Sequence, residues 1–313
     1  VVVSDDGSGQ LEKTVKVVAG GKEVTAIEFV NTYNATGSVT LNASKILEGK
    51  NLTEDEFTFT LTQGKEILEQ ATNDTNGNVT FTEIPYTLDQ VGEHDYEIHE
   101  VADPDNAAIT YDTTYYKIHV VVSDNGNGTL QVAKTITKVT VKDGKETESP
   151  YTEETPVFTN KYDTSASINL EGTKILLGRD AKGEEFHFEV RDSAGNLVAT
   201  GTDDVEGNIT FDKAIQISLE DMKDGEDYAA SKEFTYTVKE LNEGVKGITY
   251  DTSEKVVKIL ASYNKETGEL TLNLADASQP IEFTNRYNTS ASIGFNATKK
   301  LTGRKLADGE FTF

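Results

Sequence analysis

Lysine, glutamate and asparagine recur at corresponding positions of this chain, in types and spacing that could form an amide crosslink. The two sets are Lys45, Glu100 and Asn160, and Lys174, Glu240 and Asn285. Each of these residues lies an even number of positions from apolar residues of its own β-rich segment, so its side chain should face the side that they face. A buried lysine is costly unless it is neutral, paired or consumed. The three polar groups of each set therefore need one another.

These residue types support one reaction, in which lysine Nζ attacks asparagine Cγ and ammonia leaves. Burial disfavours both charges, which lowers the lysine pKa and raises the glutamate pKa until a neutral amine meets a protonated acid. The glutamate would hydrogen-bond the asparagine carbonyl, stabilise the tetrahedral centre and carry protons to the leaving ammonia. Folding supplies the proximity, which is worth up to roughly 7–11 kcal/mol of the barrier. The reaction happens once per site, so we expect self-modification and no enzymatic turnover.

The elements that carry these residues recur as a tandem array. Lys45, Lys174 and Lys299 are 129 and 125 residues apart, and Asn31, Asn160 and Asn285 have the same two spacings. A unit of this length is the size of one ordinary domain. Asn31 and Lys299 carry the same motifs as the complete sets, but no partner for either occurs at the expected place in this chain. We predict that both are unpaired half-sites.

The repeat predicts four segments. Residues 1–34 correspond to the C-terminal strands of a truncated repeat, 35–163 and 164–288 to two complete domains, and 289–313 to the N-terminal strands of another truncated repeat. The linkers between them are short and contain no Gly/Ser spacer, so successive domains should form a semi-rigid, rod-like array. Both ends of the chain are interpreted as cuts within a longer protein.

Hydrophobic patterning predicts an all-β fold of antiparallel β-sandwiches. Segments rich in Thr, Val, Ile, Tyr and Phe alternate with Gly, Asn and Asp turns every ten or so residues, as in such sandwiches. The most helical stretch, Ser218 to Asp224, is short. The strands predicted to carry the reactive residues are Ser38 to Lys45, Tyr96 to Glu100, Val157 to Asn160, Ser167 to Lys174 and Phe234 to Glu240.

The composition restricts the partners of the chain. Of 313 residues, 54 are acidic and 29 are basic, and the formal net charge is −25. This charge repels nucleic acid phosphates and anionic lipid heads, and no run of about 18 apolar residues occurs. We therefore expect neither nucleic acid binding nor membrane insertion by this segment. Cysteine is absent, which excludes disulfides, thiolate metal sites and cysteine nucleophiles.

No motif indicates a cofactor or a metal. The segment 124–128 is similar to a calcium loop, but the bidentate glutamate of such loops is missing and a hairpin turn explains the sequence. His94, His99, His119 and His187 lack zinc spacing and are interpreted as surface or strand residues. Nucleotide-binding fingerprints and hydrolase motifs are also missing. We expect no cofactor and no metal site.

Five ordered motifs in each repeat resemble the isopeptide-linkage domain of Gram-positive pilins, the CnaB-type immunoglobulin-like fold of streptococcal major pilin subunits. In the second repeat they are Thr173-Lys174-Ile175-Leu176, Glu185-Phe186-x-Phe188, Tyr236-x-Val238-x-Glu240, Ile248-Thr249-Tyr250-Asp251 and Glu282-Phe283-Thr284-Asn285. In the first they are Lys45-Ile46-Leu47, Glu56-Phe57-x-Phe59, Tyr96-x-Ile98-x-Glu100, Ile109-Thr110-Tyr111-Asp112 and Val157-Phe158-Thr159-Asn160. The resemblance covers essentially the whole chain.

The resemblance implies how the residues pair. Lys45 would bond Asn160 with Glu100 as catalyst, and Lys174 would bond Asn285 with Glu240 as catalyst. In the family the bonded residues lie on the first and last strands, so force would bypass the core of each domain. By analogy with a disulfide, closing such a loop should stabilise the domain by about 4–5 kcal/mol.

The leading functional interpretation is a structural stalk or pilus-shaft segment of a Gram-positive cell-surface protein, extracellular and attached to the cell wall or part of a pilus. Its partners would be neighbouring repeats or pilin subunits, and a tip outside this segment would contact a host receptor. The alternative is an adhesin module that binds a host protein or glycan through its sandwich loops. A hydrolase is a third class, but it lacks a recognisable site. The absence of Trp and the acidic, polar loops favour the stalk.

Overall fold

The computed structural model describes residues 1–313 and consists almost entirely of β-strands. Its only helical elements are two 3₁₀ helices of three residues, Leu88–Gln90 and Glu220–Met222. None of its helices has the length and apolar character needed to cross a membrane. The contacts of the chain define two compact units, Val1–Ile46 with Leu52–Asp105 and Tyr111–Asn160, and Leu47–Asn51 with Asn106–Thr110 and Lys161–Phe313.

The residues that flank the two complete repeats contain little structure of their own. Four short strands form two hairpins before the first repeat: β1 (Val2–Asp5), β2 (Leu11–Thr14), β3 (Val17–Ala19) and β4 (Lys22–Val24). Residues 289–313 contain no strand. Most side chains in both flanks are exposed, so neither flank has a core.

The first repeat contains twelve strands in three sheets. They are β5 (Thr36–Val39), β6 (Asn42–Glu48), β7 (Thr58–Gln63), β8 (Glu66–Thr72), β9 (Asn78–Thr80), β10 (Ile84–Thr87), β11 (Gly92–Val101), β12 (Ile109–Thr110), β13 (Thr114–Asp124), β14 (Leu130–Lys142), β15 (Lys145–Tyr151) and β16 (Val157–Tyr162). One sheet has the order β15-β14-β13-β11-β7-β8, the second β12-β16-β6-β9, and the third is the pair β10-β5.

The second repeat contains thirteen strands, which are also arranged in three sheets but of different sizes. They are β17 (Ser165–Ile168), β18 (Glu171–Leu177), β19 (His187–Asp192), β20 (Leu197–Asp203), β21 (Asn208–Phe211), β22 (Ile215–Ser218), β23 (Lys223–Asp224), β24 (Asp227–Tyr228), β25 (Ser231–Glu240), β26 (Ile248–Thr249), β27 (Glu254–Asn264), β28 (Glu269–Leu274) and β29 (Glu282–Tyr287). Nine of them form one sheet, β26-β29-β18-β21-β20-β19-β25-β27-β28, and β17-β22 and β23-β24 are separate pairs.

Alternating apolar residues meet in the core of each repeat. In the first, the rings of Phe59 on β7 and Phe158 on β16 have centroids 5.1 Å apart, and both residues are fully buried. In the second, Phe188 on β19 and Phe283 on β29 make the corresponding contact at 5.3 Å. Such aromatic pairs contribute about 0.5–1.5 kcal/mol beyond the apolar area that they bury. The immunoglobulin-like, all-β prediction is confirmed.

The strand that carries the lysine lies beside the last strand of its repeat. Strand β6 is the neighbour of β16, and β18 is the neighbour of β29. The pairing of β18 with β29 is parallel, with Thr173 opposite Glu282 and Leu176 opposite Asn285. The two ends of each repeat are therefore hydrogen-bonded to each other within one sheet.

Two local predictions differ in detail from the structure. The predicted strand Ser38 to Lys45 is interrupted at residues 40 and 41, because β5 pairs with β10 whereas β6 pairs with β9. The chain changes sheets there while its inward-facing alternation continues. Of the stretch Ser218 to Asp224, the most helical by sequence, only Glu220–Met222 form a 3₁₀ helix, whereas Ser218 ends β22 and Lys223–Asp224 form β23. The segment 124–128 forms the predicted hairpin turn between β13 and β14.

Candidate crosslinking sites

The lysine and glutamate of the first repeat meet in its core. Lys45 is on β6, where its neighbours on the same face, Leu41 and Ala43, are also buried. The side chain of Lys45 is 0% exposed and that of Glu100, on β11, is 2% exposed. Lys45 Nζ lies 2.9 Å from Glu100 Oε1 and 3.0 Å from Oε2. A charged or neutral amine at this position has the carboxyl group as its hydrogen-bond partner.

The asparagine contacts the same glutamate from the last strand. Asn160, on β16, is fully buried two residues after Phe158, and its Nδ2 donates a 2.8 Å hydrogen bond to Glu100 Oε1. Glu100 thus bridges the amine nitrogen of Lys45 and the amide nitrogen of Asn160. The structure brings together all three residues that the sequence selected.

The second repeat contains the same arrangement with shorter contacts. Lys174 Nζ lies 2.6 Å from Glu240 Oε2, and both side chains are 0% exposed. Asn285 Nδ2 donates a 2.6 Å hydrogen bond to Glu240 Oε1. The amine, the bridging carboxyl group and the amide therefore occupy equivalent places on β18, β25 and β29.

The asparagine carbonyl has a partner that the sequence did not reveal. The backbone N–H of Asp112 donates a 2.8 Å hydrogen bond to Asn160 Oδ1, and that of Asp251 donates one of 2.8 Å to Asn285 Oδ1. The expectation that the glutamate hydrogen-bonds the carbonyl differs from this geometry, because Glu100 accepts from the amide nitrogen instead. The signal available in the sequence was the motif Ile-Thr-Tyr-Asp, which is present in both repeats.

An aromatic ring covers each lysine. Lys45 Nζ lies 4.6 Å from the centroid of Phe57, and Lys174 Nζ lies 4.6 Å from the centroid of Phe186. Both rings are buried and belong to the Glu-Phe-x-Phe motif. They exclude water from the amine, which disfavours its charged form even though a ring face attracts a cation.

Burial shifts the pKa values of both pairs in the direction that the predicted reaction would need. It lowers the pKa of Lys45 and of Lys174, although the neighbouring glutamate raises each of them in part. It raises the pKa of Glu100 and of Glu240, although the adjacent lysine lowers each of them in part. The two effects favour a neutral amine beside a protonated acid, as the sequence predicted.

A glycine turn fixes the backbone of each lysine. The N–H of Lys45 donates to Gly77 O at 2.6 Å, and the N–H of Lys174 donates to Gly207 O at 2.6 Å. Both glycines have φ near +85°, at +84° and +86°. A Cβ at Gly77 would lie 2.1 Å from Lys45 O, so only glycine allows the turn to approach this closely.

The half-sites lie outside these clusters. Asn31 and Lys299 are exposed, and Lys299 Nζ lies 4.5 Å from the ring of Phe311. That they are unbonded stays a prediction. The four histidines lie on β11, β13 and β19, and no group of three or more His, Asp or Glu side chains is arranged to hold a metal ion.

Both clusters lie within segments that match one protein family. The family model of the Spy0128-like isopeptide containing domain, FctA, matches residues 41–163 and again residues 170–288. The chain belongs to this family. Each FctA match includes one complete cluster, whereas Asn31 and Lys299 lie outside both. Among curated proteins, no relative matches the chain.

Solved structures to which the chain is similar include pilins of two genera. The major pilin from Streptococcus pyogenes is 17% identical, with 82% of this chain and 99% of the pilin covered and a TM-score of 0.23. The shaft pilin SpaA from Lactobacillus rhamnosus GG is 11% identical, with 82% and 100% covered and a TM-score of 0.20. Membership of the FctA family rests on the match to the two repeats.

Proposed function

We propose that this chain is a structural stalk or pilus-shaft segment of a Gram-positive cell-surface protein, and that each complete repeat forms one Lys–Asn isopeptide bond without an enzyme. The bonds join Lys45 to Asn160 and Lys174 to Asn285. The observation that carries the proposal is the buried Lys–Glu–Asn cluster, which occurs twice with the same contacts. Removing a pair of titratable groups from water costs free energy, and the repetition of this cost with the same contacts supports a role for the pair.

The reaction balances within the cluster. The lone pair of Lys45 Nζ attacks Asn160 Cγ, and the bond from Cγ to Nδ2 breaks as ammonia leaves. Glu100 takes a proton from Nζ through one oxygen and gives one to Nδ2 through the other, so its own protonation is unchanged at the end. The contacts of Glu100 with both nitrogens support this shuttle. The same steps apply to Lys174, Glu240 and Asn285.

The crosslink would give each repeat resistance to force and proteolysis. Because the lysine strand and the last strand are neighbours, a bond between them passes tension directly from one end of the repeat to the other. The chain enclosed by the bond then carries no load and gains no extension when the repeat is pulled. Tandem repeats of this kind suit a shaft whose partners are neighbouring repeats or pilin subunits, exposed outside the cell wall.

Intact mass tests the proposal directly. Each bond expels one ammonia, so the purified chain should be lighter than its calculated mass by twice about 17 Da. Glu100→Gln and Glu240→Gln should each restore about 17 Da, and the double variant should have the full calculated mass. Tryptic digestion should yield two branched peptides, one that contains Lys45 and Asn160 and one that contains Lys174 and Asn285. Full mass for the unaltered, folded chain would refute the proposal.

A further inference from the structure

Each cluster contains a backbone hydrogen-bond donor at the atom where negative charge would develop. When lysine attacks asparagine Cγ, the amide oxygen Oδ1 becomes the oxyanion of a tetrahedral centre. The N–H of Asp112 lies 2.8 Å from Asn160 Oδ1, within the range expected for a donor to such an oxygen. The N–H of Asp251 has the same distance to Asn285 Oδ1. Neither N–H is part of a strand ladder.

The carboxylate of the same aspartate holds this donor in place. Asp112 Oδ1 accepts from the N–H of Thr114 at 2.8 Å, and Oδ2 accepts from the N–H of Thr159 at 3.0 Å. Thr159 immediately precedes the reactive Asn160. One side chain therefore ties its own loop to the last strand, and this tie sets the separation between its backbone N–H and the asparagine carbonyl.

We call this pair of hydrogen bonds accepted by one aspartate carboxylate a clip, and the second repeat contains the same one. Asp251 Oδ1 accepts from the N–H of Ser253 at 2.9 Å, and Oδ2 accepts from the N–H of Thr284 at 3.0 Å. Burial raises the pKa of Asp251, but the hydrogen bonds from Ser253 and Thr284 together lower it by more. The net shift of this pKa is therefore downward. An ionised carboxylate is the stronger acceptor for both N–H groups.

We propose that Asp112 and Asp251 are positioning residues for isopeptide formation, whose carboxylates clip the loop to the last strand so that their own N–H groups stabilise the oxyanion. This inference rests on the function proposed above. It assigns a role to the last residue of the Ile-Thr-Tyr-Asp motif, in addition to the lysine, glutamate and asparagine.

The charge of Asp112 and its geometry predict different results, which makes the proposal testable. As a nearby anion, the Asp112 carboxylate raises the pKa of Lys45 and also that of Glu100. If charge alone mattered, Asp112→Asn would shift both members of the pair in the same direction and leave the rate of bond formation largely unchanged. If the clip matters, the same variant slows the bond, because an amide NH2 replaces one of the two oxygens that accept from Thr114 and Thr159.

The test is a time course of refolding. The starting material is unfolded chain from inclusion bodies that has the full calculated mass. It is diluted into refolding buffer, and samples are quenched at intervals for intact mass measurement. Branched tryptic peptides then report bond formation in each repeat separately. We expect Asp112→Asn to slow the Lys45–Asn160 bond about tenfold or more, given that a lost oxyanion donor costs roughly 10²–10³ in rate. The Lys174–Asn285 bond in the same molecules is the control. Asp251→Asn should give the reciprocal result.

A second variant separates positioning from folding. The α-hydroxy analogue of aspartate at position 112 retains the carboxylate clip but replaces the N–H by oxygen, and it should slow the first bond to a similar degree. An unchanged rate in this variant would overturn the proposal even if Asp112→Asn fails to fold, and so would an Asp112→Asn rate equal to or above that of the unaltered chain. No ammonia loss in the unaltered chain would instead refute the proposed function.

Discussion

The two repeats have the same Lys–Glu–Asn cluster, although the loops that connect its strands differ in length. Lys45 and Glu100 are 55 residues apart and Glu100 and Asn160 are 60 apart, whereas the corresponding separations in the second repeat are 66 and 45. The contacts of each glutamate, and the N–H at each asparagine carbonyl, are nevertheless conserved between the repeats. The geometry of the cluster therefore depends on the strands that carry it and is independent of the lengths of the loops between them.

The repeats differ at one buried polar position near the cluster. In the first, Asn73 accepts from the N–H of Phe57 at 2.8 Å, and its Nδ2 donates to Thr53 O and Asp74 O at 2.8 and 2.9 Å. Asp203 is the counterpart in the second repeat. Its Oδ1 accepts from the backbone at 2.8 Å, but its buried Oδ2 has no hydrogen-bond partner. Asp203 Oδ2, which has no partner, thus takes the place of Asn73 Nδ2, which donates two hydrogen bonds.

The largest effect should come from removing the bond in either repeat. Lys45→Met and Lys174→Met preserve the volume of the side chain and delete the nucleophile. Because the two crosslinks would close loops of nearly equal length, each variant should destabilise its own repeat by about 5 kcal/mol. Hydrogen exchange with mass spectrometry, read on peptides of each repeat, measures the two free energies of unfolding separately.

The matched comparison is between the repeats of one molecule. In Lys45→Met the second repeat should retain its protection from exchange, and in Lys174→Met the first should. Glu100→Ala and Glu240→Ala should match the methionine variants within about 1–3 kcal/mol, the cost of an unsatisfied buried partner. A loss of less than about 1 kcal/mol in the methionine variants would contradict stabilisation by loop closure.

A smaller effect should come from exchanging Asn73 and Asp203. Asp203→Asn should stabilise the second repeat by about 1–3 kcal/mol, because an amide nitrogen in place of the unpartnered Oδ2 could donate as Asn73 Nδ2 does in the first repeat. Asn73→Asp should destabilise the first repeat by a similar amount. Urea unfolding of both variants in the Lys45→Met, Lys174→Met background, where no crosslink is expected, keeps the equilibrium reversible.

The sign of the stability change in each variant tests whether this difference between the repeats matters. If Asp203→Asn leaves the second repeat unchanged, its Oδ2 already has a satisfactory partner such as a bound water, and the difference between the repeats has no energetic weight. Thr202→Ser, at the neighbouring and half-buried position, serves as a control for substitutions on β20 and should change stability by less than about 0.5 kcal/mol.

The sequence predicted the residues that cluster because burial leaves a period-two pattern in a strand. Lys45 continues the alternation of Leu41 and Ala43, and Asn160 continues that of Phe158. A polar residue in such a pattern is informative in itself, since it is expensive unless it has a partner. The repetition of the pattern in a second domain then identified which glutamate is the partner.

Features that depend on backbone hydrogen bonds were not predictable in this way. The backbone N–H that contacts Asn160 Oδ1 gives no such signal, because every residue except proline has one, so only the recurrence of Asp in both Ile-Thr-Tyr-Asp motifs points to Asp112. Strand β15 (Lys145–Tyr151) is not predictable from apolar periodicity for a related reason. It is an edge strand whose side chains are almost all exposed, so it is held by its ladder to β14 and shows no apolar alternation.

The pH dependence of bond formation should distinguish the repeats least. The neutral pair of amine and acid contains the same number of protons as the ammonium–carboxylate pair, so conversion between the two forms needs no exchange with solvent. The rate should therefore be level across a central pH range. It should fall in acid, where the pair gains a second proton and the amine is lost as ammonium, and in base, where the glutamate loses the proton that it gives to the leaving nitrogen.

Both repeats should show this plateau, since burial lowers the lysine pKa and raises the glutamate pKa in each. The refolding time course, repeated from pH 4 to pH 10 in steps of about one unit, measures the profile for each branched peptide, and on the plateau the rate should vary less than about twofold. A rate that rises tenfold per pH unit through neutrality would mean that an ordinary ammonium must lose its proton to solvent before it reacts. The coupled pair would then have no part in the chemistry, and the identity of the two clusters would reflect packing alone.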